Sequence, residues 1–564
     1  MTILSRTKKQ WIVTCAIMIV AIVLATAVVL YVSIQNAGFE ETEDSFFSSP
    51  FVTGKKVLVL IAHQDDDINL AYGVIDAFAQ AGSEVTVAFA TNGDVGGDTD
   101  TRVQEAVKAD ALMGAARDNI VLLGYGDRIV PPFFLCDYDL VKENESGYTQ
   151  TYGAGGIADY HTLVFGEPAA YTRANFEGDI RQLILNLRPD VLFVTDTDDN
   201  VDHVSVSQSF DRVMGEILRE TGDYKPVVFK GFCYEYAWHG NEDFYHSLTL
   251  KSAAPTWLKT SYHTAYAWDE RVRLPLPNEY LGYTLRSSKL REVLAAYASQ
   301  DAVAHENSLL NGDRVFWERR TDVLWADVAA TSGDASLLQD FLIGDTWEAP
   351  LQNCWMPDAG DINPEITFTW SDQQEIAELV FYDAPEPAGD ILRVRVTDDS
   401  GYFIAYELPD GTGEPCRLQL DGMTTQTLTI TVLESEGSQI GFSEIEVLPV
   451  RELQTQWIHL LDSDGDFLYE YAVPAGQAFE LLLYGYPVTP AQATATVVKE
   501  KSGETVARIQ YDGKSFSIPP LPKGRYRITA VSGDCTVEAV LRVGDSMLKE
   551  RILRRIERLA DDLL

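Results

Sequence analysis

Two short acidic stretches, each with a histidine, contain the residue types that a catalytic metal site needs. They are Ala62-His63-Gln64-Asp65-Asp66-Asp67 and Asp196-Thr197-Asp198-Asp199-Asn200-Val201-Asp202-His203. A catalytic zinc takes three protein ligands from His, Asp, Glu or Cys and keeps a fourth position open for water. His63 and Asp66 supply two candidate ligands within one turn of chain, and His203 supplies a third. Asp65 then points elsewhere and is available as a base.

Each stretch is also compatible with an acidic surface turn, because the chain contains 85 acidic residues. Only eight histidines are present, however, and two of them fall in these stretches. A shared metal site is favoured if both stretches lie at the same edge of one sheet. The elements that position them therefore decide between the two interpretations.

Apolar strands alternate with helical patterns in the first half of the chain. Strands are predicted at 55–62, 84–91, 119–123 and 190–195, and helices at 69–81, 102–115 and 172–187. This alternation indicates βαβ units and a mostly parallel, Rossmann-like α/β sheet covered on both faces. Ligands of such sheets bind beyond the carboxyl ends of the strands. Both acidic stretches directly follow predicted strands, which places them at that edge.

Short alternating stretches separated by Gly, Pro and Asp follow the α/β domain, which we expect to span 51–335. They predict two all-β antiparallel sandwiches, at 336–451 and 452–545, and the length of the second is typical of an immunoglobulin-like sandwich. Apolar residues at helical spacing predict an amphipathic helix at 546–564. We expect this helix to pack on its own domain rather than on a partner helix.

The N-terminal region contains 23 uncharged, mostly aliphatic residues at 11–33. At about 1.5 Å per residue, a helix of this length crosses a hydrocarbon core of about 30 Å. Basic residues precede it and acidic ones follow, which predicts a single-pass cell-membrane protein with residues 1–10 in the cytoplasm and the globular domains outside. A cleaved signal peptide is the alternative. The acidic segment 34–50 predicts a linker that holds the globular part off the membrane.

The formal charge of −41 excludes nucleic acid as a partner, because phosphate groups would be repelled. The 46% hydrophobic and 11% aromatic residues suffice for several cores, which excludes a wholly disordered chain. The cysteines outside the apolar segment form no CxxC pair, so no disulfide framework or structural zinc knuckle is indicated.

The first acidic stretch resembles the AHPDDE signature of the PIG-L/LmbE-type N-acetylglucosaminyl deacetylases, and Asn200-Val201-Asp202-His203 resembles their HPDH signature. Further matches are Thr91-Asn92-Gly93-Asp94, Arg102-x-x-Glu105, Leu123-Gly124-Tyr125-Gly126-Asp127, Ser299-Gln300 and Phe316-Trp317-Glu318-Arg319. They occur in the expected order and cover about residues 55–325.

The resemblance implies Zn²⁺ as the cofactor, with His63, Asp66 and His203 as its ligands and Asp65 as the general base. It also implies that Arg102 and Asp127 contact the sugar. Zinc lowers the pKa of a bound water toward about 7, and Asp65 takes its proton as the acetamide carbonyl is attacked. Asp65 then returns the proton to the leaving amine, and acetate is released.

The chain departs from the family pattern at Asn200, where the family has a second histidine that stabilises the tetrahedral intermediate. Asparagine can donate a hydrogen bond to the oxyanion, but it cannot supply a proton. Loss of one oxyanion donor costs about 100- to 1000-fold in rate, so we expect slower turnover, with a changed mechanism as the alternative. His161 could substitute if its loop covers the site, although a structural hydrogen bond is favoured. Gln64 and Asp67 also differ from the signature and leave the implied ligands intact.

Motifs at 344–347, 367–370 and 440–447 resemble discoidin-type, galactose-binding-like sandwiches. Trp347, Trp355 and Trp370 could stack on sugar there, but buried core positions are favoured.

Together these features favour a membrane-anchored, outward-facing, zinc-dependent deacetylase of an N-acetylated amino sugar, within an N-acetylglucosamine-type glycan or glycoconjugate. One alternative is a glycan-binding surface protein whose deacetylase-like domain has impaired turnover. Another is the same hydrolase chemistry on a different amide.

Overall fold

The structure is a computed structural model of the chain and describes residues 3–198, 200–234, 250, 266–305, 309–344, 350–385, 387–408 and 415–561. The α-helices are α1 Ile3–Gln35, α2 Asp66–Ala71, α3 Val74–Gln80, α4 Thr99–Met113, α5 Tyr160–Phe165, α6 Arg173–Leu187, α7 Val201–Thr221, α8 Lys289–Leu294 and α9 Leu548–Asp561.

The strands fall into three groups along the chain. The first group is β1 Lys56–Ile61, β2 Glu84–Thr91, β3 Ile120–Tyr125, β4 Val191–Thr195, β5 Val227–Gly231, β6 Val272–Pro275 and β7 Asp313–Arg319. The second is β8 Asp327–Ala330, β9 Glu365–Asp383, β10 Ile391–Thr397, β11 Phe403–Glu407, β12 Cys416–Ser435 and β13 Phe442–Pro449. The third is β14 Trp457–Leu461, β15 Glu470–Val473, β16 Phe479–Tyr486, β17 Thr494–Lys499, β18 Glu504–Gln510, β19 Phe516–Ile518, β20 Gly524–Ser532 and β21 Cys535–Val543.

The first group forms one sheet in the order β3-β2-β1-β4-β5-β7-β6. Strands β1 to β5 are parallel, whereas β7 runs antiparallel to β5 and β6. Every residue of β4 and all but the first of β1 are buried, as expected for central strands with helices on both faces. The predicted mostly parallel, Rossmann-like α/β fold is therefore confirmed.

The helix predicted at 69–81 is two helices, α2 and α3, separated at Gly73. The φ of Gly73 is +73°, and a Cβ atom there would lie 2.5 Å from Leu276 Cδ2. Only glycine tolerates both the backbone angle and the close approach. Helix α2 is therefore only six residues long. It begins at Asp66, in the acidic stretch, and ends at Ala71.

The second group of strands forms an antiparallel sandwich whose core includes the fully buried Trp355 and the nearly buried Trp370. These two tryptophans are core residues, as favoured, and Trp347 lies outside the described residues. The predicted domain boundary at 335/336 is too late, because β8 pairs with β9 inside this sandwich. Strand β8 is short and only half-buried, so its sequence lacks the apolar alternation that marks the longer strands.

The third group forms a second sandwich, of a three-stranded and a five-stranded sheet. The sheets are antiparallel except where β15 runs parallel to β21. This sandwich packs directly on the α/β domain, since the Trp457 ring lies 4.8 Å from that of Phe51 and the Tyr486 hydroxyl donates to Glu318 Oε2 at 2.7 Å. The immunoglobulin-like assignment stays a prediction.

The segment 34–50 is not the detached linker that its acidic composition predicts. Phe39 and Phe46 are buried, and the Phe46 ring packs 5.3 Å from Trp457. Gly38 forms a bridge with Gly282 of the α/β domain. Apolar side chains placed among the acidic residues anchor this segment, so the globular part begins directly after α1.

Helix α1 contains an apolar stretch, Val13–Gln35, that is long enough to cross a membrane. The described parts of the chain leave its apolar window uncovered. At the other end of the chain, α9 packs on the α/β domain and contacts α1. The helix therefore packs within the chain, as predicted, but it contacts two domains. Its buried polar residues bind the segment 283–286 of the α/β domain, and Glu550 pairs with Arg542 of the second sandwich at 3.0 Å.

Candidate metal and catalytic site

The two acidic stretches meet at the point where the strand order of the α/β sheet reverses. Strands β1 and β4 are neighbours there, with Leu60 paired to Val194. The loop after β1 enters α2 at Asp66, and the loop after β4 enters α7 at Val201. Crevices at such switch points are where open α/β sheets bind ligands.

The three predicted ligands converge in this crevice. His63 Nδ1 lies 3.2 Å from Asp66 Oδ2 and 3.3 Å from His203 Nε2. His203 Nε2 lies 3.1 Å from the same Asp66 oxygen. One ligand atom of each residue lies within 4.8 Å of the others, and all three side chains are buried. The structure thus brings together side chains that are 140 positions apart in the chain.

The residues in this cluster fit a metal ion. Asp66 Oδ1 is buried and has no hydrogen-bond partner among the described residues. A buried carboxylate oxygen without a partner is costly unless a cation compensates it. Two imidazole nitrogens and one carboxylate also form a donor set typical of catalytic zinc sites. We therefore identify the cluster as a candidate metal centre.

The second ring nitrogen of each histidine contacts a carboxylate. His203 Nδ1 lies 2.7 Å from Asp198 Oδ2, and His63 Nε2 lies 3.1 Å from Asp202 Oδ2. Such contacts fix the orientation of metal-binding imidazoles and increase their basicity. Sequence reasoning missed both aspartates as partners. Their only signal was their place in the acidic stretch, which does not show that Asp202 turns away from its neighbour His203 toward His63.

The carboxylates set the charge of the cluster. Burial lowers the pKa of both histidines, but Asp202 and Asp66 more than offset this and raise the pKa of His63 well above its ordinary value. Asp198 and Asp66 likewise raise the pKa of His203 to about 10. Burial alone would raise the pKa of Asp66, yet the two histidines hold it well below its usual range. Metal binding needs neutral imidazoles and would therefore release protons.

Asp65 differs from Asp66 in exposure and direction. Its side chain is 34% exposed, against 1% for Asp66. Its φ is +128°, which non-glycine residues rarely adopt and which turns the two successive carboxylates apart. Burial and the charge of Asp66 raise the pKa of Asp65 to about 7, although Arg102 opposes them. A carboxylate of this kind is suited to take and return a proton near neutral pH.

Arg102 lies beside Asp65, with Nη2 3.8 Å from Asp65 Oδ1. It donates hydrogen bonds to the carbonyl oxygens of Gly93 and Gln64. A Cβ atom at Gly93, whose φ is +65°, would lie 2.3 Å from Gln64 Oε1 and 2.9 Å from the Arg102 guanidinium. Glycine is therefore required for Arg102 to approach the site. Gln64 itself donates to the Thr91 carbonyl at 2.8 Å and ties this loop to β2.

Asp127 holds the loop after β2, which also contacts Arg102. Its two carboxylate oxygens accept hydrogen bonds from the backbone N–H groups of Gly93, at 2.9 Å, and Val95, at 3.3 Å. Its own N–H donates to Asp94 Oδ1 at 2.8 Å. The predicted contact of Asp127 with sugar stays a prediction.

Asn200 uses both ends of its amide. Its Oδ1 accepts the Asp202 N–H at 2.8 Å and caps α7, while its Nδ2 donates to the Tyr234 hydroxyl at 2.5 Å. The Tyr234 ring lies 4.7 Å from the His203 ring. Burial and the negative charge of Asp66 raise the pKa of Tyr234, so it keeps its proton at neutral pH. Sequence reasoning missed Tyr234, whose only signal was its position just after β5, the neighbour of β4.

The remaining candidates have structural partners. Asp67 is fully buried and accepts the Tyr297 hydroxyl at 2.6 Å, which supports α2 from below the site. His161 Nδ1 lies 2.7 Å from Asp179 Oδ1, the structural hydrogen bond that was favoured for it.

The fold and the site define an α/β protein of Rossmann topology with a His-Asp-His candidate metal centre at its switch point. Residues 58–214 match the family model described as GlcNAc-PI de-N-acetylase, so this part of the chain is a PIG-L domain, as its motifs predicted. Residues 328–448 match a domain of unknown function (DUF7402). No curated protein matches the chain.

Several solved structures are similar to parts of the chain. One is the N,N'-diacetylchitobiose deacetylase from Pyrococcus horikoshii complexed with its inhibitor MPG, at 14% identity and a TM-score of 0.28, covering 48% of this chain and 86% of that one. Another is the family 32 CBM of Clostridium perfringens NanJ in complex with galactose, at 12% identity and a TM-score of 0.18, covering 22% and 91%. A third is chitosan-binding module 1 from Paenibacillus sp. IK-5, at 14% identity and a TM-score of 0.18, covering 22% and 96%.

Proposed function

We propose that the α/β domain is a zinc-dependent N-deacetylase that removes acetyl from an N-acetylated amino sugar of a glycan or glycoconjugate. The observation that carries the proposal is the convergence of His63, Asp66 and His203 while the neighbouring Asp65 stays accessible. The match of residues 58–214 to a family described as GlcNAc-PI de-N-acetylase supports cleavage of the C–N bond in an acetamide group on a sugar.

The chain supplies a base beside the metal position. When bound, zinc would polarise the acetamide carbonyl and lower the pKa of a water molecule toward about 7. Asp65 takes the proton of the attacking water and returns it to the amine nitrogen, so the C–N bond breaks and acetate leaves. Asp198 and Asp202 keep the two imidazole rings oriented during these steps.

Oxyanion stabilisation is assigned in this proposal to the Asn200–Tyr234 pair. The Asn200 amide oxygen is used to cap α7 and its NH₂ group donates to Tyr234, so Asn200 acts by orienting the phenol. A neutral phenol can donate a hydrogen bond to the developing oxyanion. In this proposal the Tyr234 hydroxyl, oriented by Asn200, replaces the family histidine as the hydrogen-bond donor to the oxyanion.

The sugar would lie against Arg102, whose guanidinium is beside Asp65. Arg102 is held by two backbone carbonyls, so its position does not depend on a bound ligand. A fixed group next to the base can orient the acetamide for attack. Asp127 would act on the same side, directly or through the loop that it holds.

We further infer that α1 anchors the chain in the cell membrane, with its N-terminus inside and the globular domains outside. The length of the apolar stretch Val13–Gln35 supports a span. The basic residues before it and the acidic ones after it support this orientation.

A second candidate function is a glycan-binding surface protein with impaired turnover, and Asn200 is the observation that favours it. The variant Asn200→His distinguishes the two. A large gain in the rate of acetate release identifies an enzyme slowed at this position. A protein that lacks zinc and still binds glycan supports the binding function.

The proposal is tested on the purified full-length chain by metal analysis and by acetate release from a panel of N-acetylated glycans, with non-sugar acetamides included. We expect about one zinc per chain, as for a mononuclear catalytic site, and activity that chelation removes and zinc restores. Asp118→Asn, at an exposed position in the short 3₁₀ helix Arg117–Asn119, should leave the zinc content and the activity unchanged and serves as the control for Asp65→Asn. Zinc-loaded protein that releases no acetate from any substrate would contradict the proposal.

A further inference from the structure

Helix α9 exposes a face of unusual composition for this protein. Its exposed residues are Leu548, Lys549, Arg551, Ile552, Arg555, Arg558 and Leu559. None of the exposed side chains described on this helix is acidic, although the chain as a whole carries a formal charge of −41. The three apolar side chains are 62%, 46% and 61% exposed, respectively.

The two acidic side chains described on α9, Glu550 and Glu557, are buried and hold the helix in place. The Glu557 carboxylate accepts hydrogen bonds from the backbone N–H groups of Leu285 and Arg286, each at 2.9 Å. On the same buried side, Arg554 Nε donates to the Tyr283 carbonyl at 2.6 Å. These contacts fix which face of the helix is left outside.

The same segment of the α/β domain holds the end of α1. Thr284 Oγ1 donates to the Ile34 carbonyl at 2.7 Å, and the Tyr283 N–H donates to the Ala37 carbonyl at 2.9 Å. Helices α1 and α9 also contact each other directly. Helix α9 therefore lies next to the place where the apolar helix enters the globular part.

The pattern on this face is that of a helix lying in a membrane interface. At 3.6 residues per turn, Leu548, Ile552 and Leu559 fall within an arc of about 40°. Basic side chains flank this apolar stripe, with Arg551 and Arg555 on one side and Lys549 on the other. Helices with such a stripe and basic flanks lie flat on bilayers, with the apolar residues among the acyl chains and the charges at the headgroups.

We propose that the exposed face of α9 binds the bilayer surface, with its basic side chains against anionic lipid headgroups. The inference rests on the proposed membrane anchoring by α1. An acidic protein is repelled by an anionic surface, so close contact requires a local basic patch, and α9 supplies one beside the membrane span. With α1 and α9 both in contact with the membrane, the α/β domain is held in one orientation to it.

The test uses the full-length chain reconstituted into vesicles of phosphatidylcholine alone or mixed with phosphatidylglycerol. An environment-sensitive fluorophore is attached through Leu559→Cys, and the parent chain, labelled in parallel, corrects for native thiols. We expect a shift of emission to shorter wavelength and quenching by spin-labelled lipids, both larger in the vesicles with phosphatidylglycerol. Salt near 1 M, where the Debye length is about 3 Å, should remove that difference.

The charge requirement is tested by the combined variant Lys549→Gln, Arg551→Gln and Arg555→Gln. It should lose the response to phosphatidylglycerol while its thermal unfolding stays that of the parent. The matched control is Lys501→Gln, Arg508→Gln and Lys514→Gln, three exposed basic residues of the second sandwich. This control should keep the full response.

The outcomes separate this inference from the anchoring on which it rests. Loss of the chain from vesicles on an alkaline carbonate wash overturns the anchoring and the inference together. A chain that stays in washed vesicles while the label remains in water with both lipids overturns the inference alone. A shift that depends on protein concentration and not on lipid identifies a partner helix instead, and also overturns it.

Discussion

The acidic segments 62–67, after β1, and 196–203, after β4, contain one histidine each and lie at the same sheet edge, yet their carboxylates have different partners. In the loop after β1, Asp66 faces the metal position and Asp65 faces outward. In the second segment, which includes the start of α7, the carboxylates of Asp198 and Asp202 are directed at histidine rings. The first segment presents Asp65 and Asp66 to the crevice. Two carboxylates of the second hold the rings of the candidate ligands His203 and His63 in place.

The difference shows that residue type does not decide the role of a carboxylate in this site. Burial and partners decide it, as the two neighbours in the first loop show. Asp66 is held ionised by two histidines, whereas burial raises the pKa of Asp65 to about 7. Four substitutions break or sharpen the comparison, from the largest expected effect to the smallest.

The substitution Asp66→Ala should have the largest effect, because one carboxylate oxygen lies close to both His63 and His203. Loss of a hydrogen-bond partner of a ligand lowers metal affinity by about 10- to 100-fold. Loss of Asp66 should lower metal affinity by more than this, and acetate release should fall to background. Metal analysis after dialysis checks this. Stoichiometric zinc in the variant would show that Asp66 is not a ligand.

The substitution Asp65→Asn should separate chemistry from metal binding in the same loop. It keeps the size of the side chain and removes the base, so kcat should fall by about 100- to 10,000-fold with the zinc content unchanged. Steady-state kinetics and metal analysis on one preparation check both. Intact activity would rule out the proposed role of Asp65.

The substitution Tyr234→Phe asks whether the loop after β4 contributes to chemistry through Asn200. Loss of one oxyanion donor should lower kcat by about 100- to 1000-fold, with little change in KM. The exposed Tyr402→Phe serves as a control that should leave kcat unchanged. If Tyr234→Phe is fully active while Asn200→Ala is slow, Asn200 itself is the donor.

The substitution Asp198→Asn should have the smallest effect, because His203 remains and loses only its charged partner. We expect metal affinity or activity to fall by about 10- to 100-fold. A competition titration against a chelator of known affinity measures the change. A fall as large as that of Asp66→Ala would make the loop after β4 equal in importance to the first.

Much of the α/β domain could be predicted, because its strands are continuous apolar runs and their ends fall beside polar stretches. Strand β2 has the predicted limits, and the candidate ligand set follows from residue types at two strand ends. The break at Gly73 was missed because a packing contact with Leu276, distant in the chain, requires it. The segment 34–50 was misread since composition does not show that Phe39 and Phe46 are buried.

By itself, the sequence determined strands β1 to β4, their approximate ends and the residue types available there, because local periodicity and apolar runs are short-range properties. Only the tertiary structure decided that Asp202 turns to His63, that Tyr234 joins Asn200, and that the second sandwich and α9 pack on the α/β domain. These contacts join segments far apart in the chain. Their geometry depends on how the whole sheet and its neighbours pack, which no local pattern records.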